Sequence, residues 1–262
     1  ADFTVSFWAR VESAPNAENA FIELAKAIGD FSLLVAVRMY TDGRIHAYIR
    51  AGGKKWDDMT SDTYDDGNWH FYVLKRSGDT AKLLIDASEK LSGTVTGTET
   101  PTSPWFLGRT YDTSPRYLKC TIASVRIYSR ALSEAEIKQN YYATKYGNTT
   151  HVTDGLVLEF TPASIDGSTW KDTSGNGNHG TIYGAKAGII PRLELDGQPV
   201  QAVGGFIRDD GSFTLERITA PSTVGSYAYT IYTFTDENSV QNQTVNVIVD
   251  GLNCSTATVD LT

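Results

Sequence analysis

ADFTVSFWARVES, residues 1–13, sets Phe3, Val5 and Phe7 in alternation with Thr4 and Ser6, and Trp8 and Ala9 carry the run on. A period of two predicts a strand with one face in a core. The stretch reads as the middle of a domain, with no earlier strand to lie beside it. The question it raises is where the beginning of that domain is.

Outward from this strand, residues 1–130 read as short strands joined by turns. FSLLVAVRMY (31–40) meets GRIHAYIRAG (43–52) across Thr41-Asp42-Gly43, a hairpin signal. DDGNWHFYVLKRSGD (65–79), AKLLIDASEKLSG (81–93), PWFLGRTYD (104–112) and LKCTIASVRIYSRALS (118–133) continue the pattern. SEAEIKQNYYATKYG (133–147) changes it, and predicts a helix with Ser133 at its N-cap and Glu136 completing a capping box. NTTHVTDG (148–155) reads as a linker, and strands resume at LVLEF, GTIYGA and LELDGQPVQAV up to residue 203. From 204 to 262 the chain alternates again, in SYAYTIYTFTD and TVNVIVD, and ends on CSTATVDLT.

Composition excludes several functions. Against 23 Lys and Arg stand 31 Asp and Glu, a net charge of -8. Nucleic acid and anionic membranes both call for a basic footprint that this balance lacks. No apolar run reaches the length of a membrane-spanning helix, and no charged n-region followed by an apolar h-region is present, so a secreted protein is expected to have this as its mature chain. The 14 tyrosines and 23 glycines, with frequent Thr, Val and Ile, fit an all-β extracellular chain. Cys120 and Cys254 lack the close spacing of a redox or zinc motif, and read either as one long-range disulfide or as two buried thiols. Sequons at Asn148, Asn242 and Asn253 offer glycosylation sites in polar segments, in keeping with secretion.

Four segments resemble the laminin-G-like, concanavalin-A-like jelly-roll sandwich family. FTVSFWARV resembles the opening strand of that family's second half. DDGNWHFYVLKRSGDTAKLLIDASE resembles its central hairpin, and SVRIYSRALSEAEIKQNY its closing strand and helix. LVLEFTPASIDGSTWKDTSGNGNHGTIYGA resembles its N-terminal strand and Asn/Gly loop. In the family the last of these comes first; here it follows the helix. The resemblance therefore implies a permuted sandwich built from 1–147 with 156–203, the linker being 148–155. The missing beginning lies downstream, folded back within the chain or lent to a neighbouring copy. Residues 204–262 resemble a short Ig-like surface module through ITAPSTVGSYAYTIYTFTDENS and TVNVIVDG.

Candidate sites follow from chemistry. Glycosidases of this fold need two carboxylates on one strand face, and no E-x-D-x-E run is present. Glu12, Glu23, Glu159 and Glu194 stand alone, so no catalytic residue is assigned and the chain is read as non-enzymatic. KDTSGNGNHG offers Asp172, Asn176 and Asn178 as oxygen ligands for a structural Ca2+, which relatives often hold near this loop. DDGNW (65–69) is a weaker candidate. A sugar needs an aromatic platform with polar neighbours, which Trp56, Trp105 and Tyr111 would supply from loops. Two functions follow from these readings. One is a cell-surface structural or adhesive subunit, filament-forming with copies of itself by strand complementation and locked by a Cys120–Cys254 disulfide. The other is a glycan-binding accessory module of a larger secreted protein.

Overall fold

The computed structural model describes residues 2–27, 30–98, 104–111, 113–146 and 150–185, with backbone alone for 25–34, 146 and the strands between 192 and 249. The chain divides into two units, Ala1–Tyr141 with His151–Thr181, and Tyr142–Thr150 with Ile182–Thr262.

The first unit runs through β1 (Phe3–Arg10), β2 (Asn19–Ala27), β3 (Asp30–Met39), β4 (Arg44–Ala51), β5 (Lys54–Thr63) and β6 (Trp69–Ser77). It continues with β7 (Thr80–Ile85), β8 (Ser88–Thr94), β9 (Phe106–Leu107) and β10 (Thr121–Tyr128), then helix α1 (Glu134–Tyr146). After the helix come β11 (Leu156–Phe160), β12 (Ile165–Asp166), β13 (Thr169–Trp170) and β14 (Gly180–Thr181). Two antiparallel sheets form the sandwich, one ordered β11-β10-β1-β6-β7-β8 and the other β5-β4-β3-β2-β9. The last three short strands make a small sheet of their own.

The alternation of the opening segment sets its position. Val5, Phe7 and Ala9 enter one core with Tyr72 and Leu74 of β6, facing Ile22, Val35, Val37, Ile45 and Ile49 of the other sheet. Phe7 stacks on Tyr72 with ring centroids 5.2 Å apart. Far from being half-buried, β1 is covered on both faces: Thr4 and Ser6 are as inaccessible as Val5. Helix α1 explains this. Ile137 and Tyr141 lie with Leu132, Tyr128, Phe71 and Val73 over the outer side of the six-stranded sheet. The predicted capping box forms, Ser133 N–H donating to Glu136 Oε2 at 2.8 Å and Glu136 N–H to Ser133 Oγ at 3.3 Å. Two bonds from Arg130, aided by the Ser133 N–H, hold the Glu136 carboxyl down at about 2.

Strand β11 lies at the end of the six-stranded sheet. It pairs with β10 inside its own chain, Val125 opposite Phe160 and Arg126 opposite Glu159. Trp170 stacks on Phe160 at 4.9 Å. A Cβ on Gly180 would come within 2.9 Å of the Phe160 ring, so a side chain there would push the small sheet off the strand.

In the second unit β15 (Arg192–Leu195), β16 (Gln198–Val200), β17 (Ala202–Ile207), β18 (Phe213–Ile218), β19 (Gly225–Asp236) and β20 (Ser239–Val249) follow. They form a four-stranded sheet β16-β15-β19-β20 and a β17-β18 pair. Here the boundary differs from the sequence reading. The sequence pattern places residues 192–200 in the sandwich, but β15 pairs with β19, Leu193 opposite Ile231, and the first unit ends at Thr181. The reason is that β19, at 12 residues, gives the apolar alternation of β15 a long partner. Cys254, Asn148 and Asn253 lie outside the described residues; Asn242 is on β20. Cys120 has a free thiol packed against the core, and burial pushes it up to about 12. No helix among the described residues is long and apolar enough to cross a membrane.

One polar cluster ties two turns of the sandwich together. His70 Nδ1 donates to Asp86 Oδ2 at 2.7 Å and Nε2 to Asp66 Oδ1 at 3.2 Å. A neutral imidazole has one N–H and cannot satisfy both carboxylates. Burial opposes the ring's charge, but the bonds to Asp86 and Asp66 outweigh it and raise the His70 pKa above 6.5. A raised histidine stabilises fully below its unfolded pKa of about 6.5, and the contribution is lost as pH rises through the folded pKa. The stability difference between the native chain and His70→Gln should therefore be largest near about pH 6 and shrink by about pH 9, read by denaturant melts. A difference that stays flat across that range would show that the ring carries no charge.

Candidate functional site

The two outer faces of the sandwich are not alike. On β4 the core side carries Ile45, Ala47, Ile49 and Ala51, while Arg44, His46, Tyr48 and Arg50 alternate with them and point the other way. Register then fixes the neighbours. Across the five-stranded sheet Phe106 lies opposite Glu23, Glu23 opposite Ala36, Ala36 opposite Tyr48, and Tyr48 opposite Asp57. Arg38 stands beside His46 in the adjoining row.

A buried ion pair anchors this face. Arg38 donates Nε and Nη2 to the two Glu23 oxygens at 3.1 and 3.0 Å. Glu18 bonds His46 Nδ1 and lies 3.6 Å from Arg38 Nη1. Burial pushes the Glu18 carboxyl up, yet the His46 bond and the Arg38 charge together bring it below the ordinary range.

Residues 108–111 and 116–118 fold over the pair. Gly108, at φ +71°, turns the chain out of β9, and its N–H donates to Phe21 O at 2.8 Å. Thr110 N–H donates to Arg116 O, Leu118 N–H to Gly108 O, and Asn19 Nδ2 to Tyr117 O. This brings Tyr111 down onto the sheet, its N–H donating to Glu23 Oε1 at 3.2 Å and its ring packed between Tyr48 and Phe106. Alanine at position 36 leaves room for that ring between Glu23 and Tyr48.

Around this closed centre runs an open rim of aromatic rings and guanidinium groups. Arg109 lies 4.8 Å over Phe106 and 5.9 Å from Tyr117, whose ring is 66% exposed. Arg50 lies 5.5 Å over Tyr48, and His46 meets the same ring edge-on. Flat rings beside fixed donors suit a ligand with apolar C–H faces and hydroxyl groups.

The residues singled out from sequence fall elsewhere. Trp56 is not in a loop but in β5, buried in the main core, where a Cβ on Gly93 would lie 2.1 Å from its Nε1. Trp105 is half-buried against the same core. Tyr111 is on the candidate face, but only 1% exposed, so it supports the site from beneath. None of the three is the open platform expected of them, because each has an apolar neighbour to cover it. The rim residues had a signal in sequence, the Arg-His-Tyr-Arg alternation of RIHAYIR and the Arg-aromatic pairs at 109 and 116–117.

Asp172, Asn176 and Asn178 do come together, but the Asp172 oxygens and the Nδ2 groups of both asparagines are engaged with backbone. Asp172 Oδ1 accepts N–H groups from Glu159 and Ser174, and Oδ2 that of Asn178, each at 2.9 Å. Asn176 and Asn178 turn Nδ2 toward the carbonyls of Leu156 and Val157. Burial raises the Asp172 carboxyl, and these bonds more than reverse it. A Ca2+ ion needs oxygens turned inward to one point, and this arrangement does not fit it. Among the described residues no group of three or more His, Cys, Asp or Glu side chains is placed to hold a metal. In the run 65–69 Asp66 is taken up by Asn68 and His70.

With this geometry in place, comparison with known proteins gives a family. The model of the concanavalin A-like lectin/glucanase superfamily, Laminin_G_3, matches residues 1–138, and the chain belongs to that family. No curated protein matches the sequence. Among solved structures, a Bacteroides ovatus protein provisionally described as carbohydrate-binding aligns at 15% identity and a TM-score of 0.52, over 69% of this chain and 54% of its own. This chain thus spans about half of that protein, and the likeness is one of fold. Domain 4 of a Geobacillus stearothermophilus extracellular arabinanase, in complex with arabinotriose, aligns at 20% identity and a TM-score of 0.42, over 52% of this chain and 65% of its own. The CBM40 of a Ruminococcus gnavus sialidase, bound to α2,3-sialyllactose, aligns at 14% and 0.43, over 52% and 80%.

The buried position of Trp56 predicts a stability effect. Trp56→Ala should cost about 3–5 kcal/mol by chemical denaturation, as an emptied core position does. A loss under about 1 kcal/mol would return Trp56 to the surface.

Proposed function

We propose that this concanavalin A-like chain is a non-catalytic carbohydrate-binding module of a secreted protein, which takes a glycan on the outer face of its five-stranded sheet. The observation that carries the reading is a set of ring–guanidinium pairs on one face, Tyr48 with Arg50 on β4 and the exposed Tyr117 with Arg109 on the segment folded over it. Sugars stack C–H faces on such rings and accept hydrogen bonds from fixed guanidinium groups. The carbohydrate-binding description of the similarly folded Bacteroides ovatus protein accords with it.

A hydrolase needs one carboxyl with a raised pKa beside a second, ionised one. On this face Glu23 is buried against Arg38, and Glu18 is lowered rather than raised. Both are placed to hold the sheet. Extracellular location remains part of the proposal, supported by the sequons and the Thr-, Ser- and Asn-rich surface strands. So does the Ig-like nature of 204–262, which rests on its sequence pattern. Polymerisation by lending a sandwich strand loses its motive, since LVLEF pairs within its own chain.

A glycan array followed by calorimetry checks the reading. Tyr117→Ala and Tyr48→Ala should each weaken binding on the order of tenfold, a contact of about 1.4 kcal/mol. The melting temperature should move little for Tyr117→Ala. Retention of no glycan at all, or full binding by both variants, would overturn it.

A further inference from the structure

The segment that looks from sequence like a cation loop has a different partner, the free edge of β11. Strand β11 is the last in its sheet, and residues facing away from β10 present backbone groups with no strand to take them. The loop 171–179 takes them one by one. Asn178 Nδ2 and Ser174 Oγ donate to Val157 O at 2.9 and 3.1 Å. Glu159 N–H donates to Asp172 Oδ1 at 2.9 Å, and Thr173 N–H to Glu159 O at 2.9 Å. Asn176 Nδ2 reaches Leu156 O at 3.1 Å. Just past the strand, Trp170 Nε1 donates to Thr161 O at 2.7 Å.

We infer that this loop is an edge cap: side chains reproduce the hydrogen bonds of a neighbouring strand, and so keep β11 from pairing with β11 of a second copy. Asp172 is its keystone. Its carboxylate holds the loop closed through Ser174 and Asn178 while also bonding the strand. Gly175 and Gly177, at φ +90° and +75°, let the loop double back. Left open, the edge would present VLEF, a short run of strand-forming residues, and two such edges are self-complementary about a two-fold axis. The ligand set expected for Ca2+ is thus used on the chain itself, and occupation by a cation would unlatch the cap.

The test uses the full chain. Amide hydrogen exchange at Glu159 and Thr173, whose N–H groups are bonded across the cap, and light scattering over a concentration series are compared for the native chain, Asp172→Ala and Asn178→Ala. In both variants exchange at these amides should rise at least about tenfold. Asp172→Ala should also form a dimer at concentrations where the native chain has not increased in mass. Asn178→Ala leaves the carboxylate in place and serves if Asp172→Ala does not fold. Unchanged exchange and mass in a folded variant would overturn the proposal. So would a rise of several degrees in the native melting temperature on adding Ca2+ that Asp172→Asn abolishes.

Discussion

A β-sheet that stops must dispose of the backbone groups on its last strand, and the sandwich is arranged around that constraint. The six-stranded sheet stops at β11, a strand contributed from beyond the helix. Without it Val125 and Ile127 of β10 would lack Phe160 and Leu158 beside them in the core, and β10 itself would be the open edge. With it the opening moves out by one strand, and the loop 171–179 closes it with side chains. A protein with a further strand to spare could have continued the sheet instead. Here the next strands, β12 to β14, form a small sheet of their own, and β15 is committed to β19.

The same device appears twice. Each sheet carries, on the face away from the sandwich core, a buried carboxylate paired with a guanidinium from the adjacent strand, Glu23 with Arg38 and Glu159 with Arg126. Each pair is then covered by a later segment that also bonds the carboxylate, Tyr111 through its N–H and Thr173 through Oγ1 at 2.8 Å. A buried pair adds little net stability, but removing one partner costs about 3–5 kcal/mol by leaving the other charge alone. Such pairs are better suited to fixing register than to adding stability. They let a non-local segment dock in one position, where an apolar patch would tolerate a slide.

Much of the sandwich was legible because it depends on local patterns. The alternation of β1, the hairpin at Thr41-Asp42-Gly43 and the Ser133–Glu136 cap need no knowledge of distant residues. What escaped was set by contacts far along the chain. GGKKWDD reads as a loop because Gly, Lys and Asp dominate it, yet Trp56 is drawn into the core by the space above Gly93. Glu23 and Arg38 are 15 residues apart and meet only through the β2–β3 register. Asp172, Asn176 and Asn178 have the chemistry of cation ligands, and only the position of β11 shows that backbone N–H groups engage the carboxylate and backbone carbonyls the two amides. The end of the first unit escaped for the same reason, since RLEL alternates equally well for either sheet.

Where a ligand can dock follows from what each face has left. The outer side of the six-stranded sheet is occupied by α1, with Tyr141 stacked on Trp8 at 5.6 Å, and its β11 edge is closed by the loop. The space between the sheets is filled by aromatic and aliphatic side chains. On the outer side of the five-stranded sheet, among the described residues of the first unit, Tyr111 packs on Tyr48 and Phe106, with Arg50 over Tyr48 and Arg109 beside Phe106 and Tyr117. Tyr111 matters to this face because it is fixed from below. Its bond to Glu23, itself held by Arg38, gives the rim a floor that does not shift, and rings on a rigid sheet lose little freedom when a ligand lies across them. On the proposed reading, a glycan would meet Tyr48 held by β4 and Tyr117 held by the segment over the sheet.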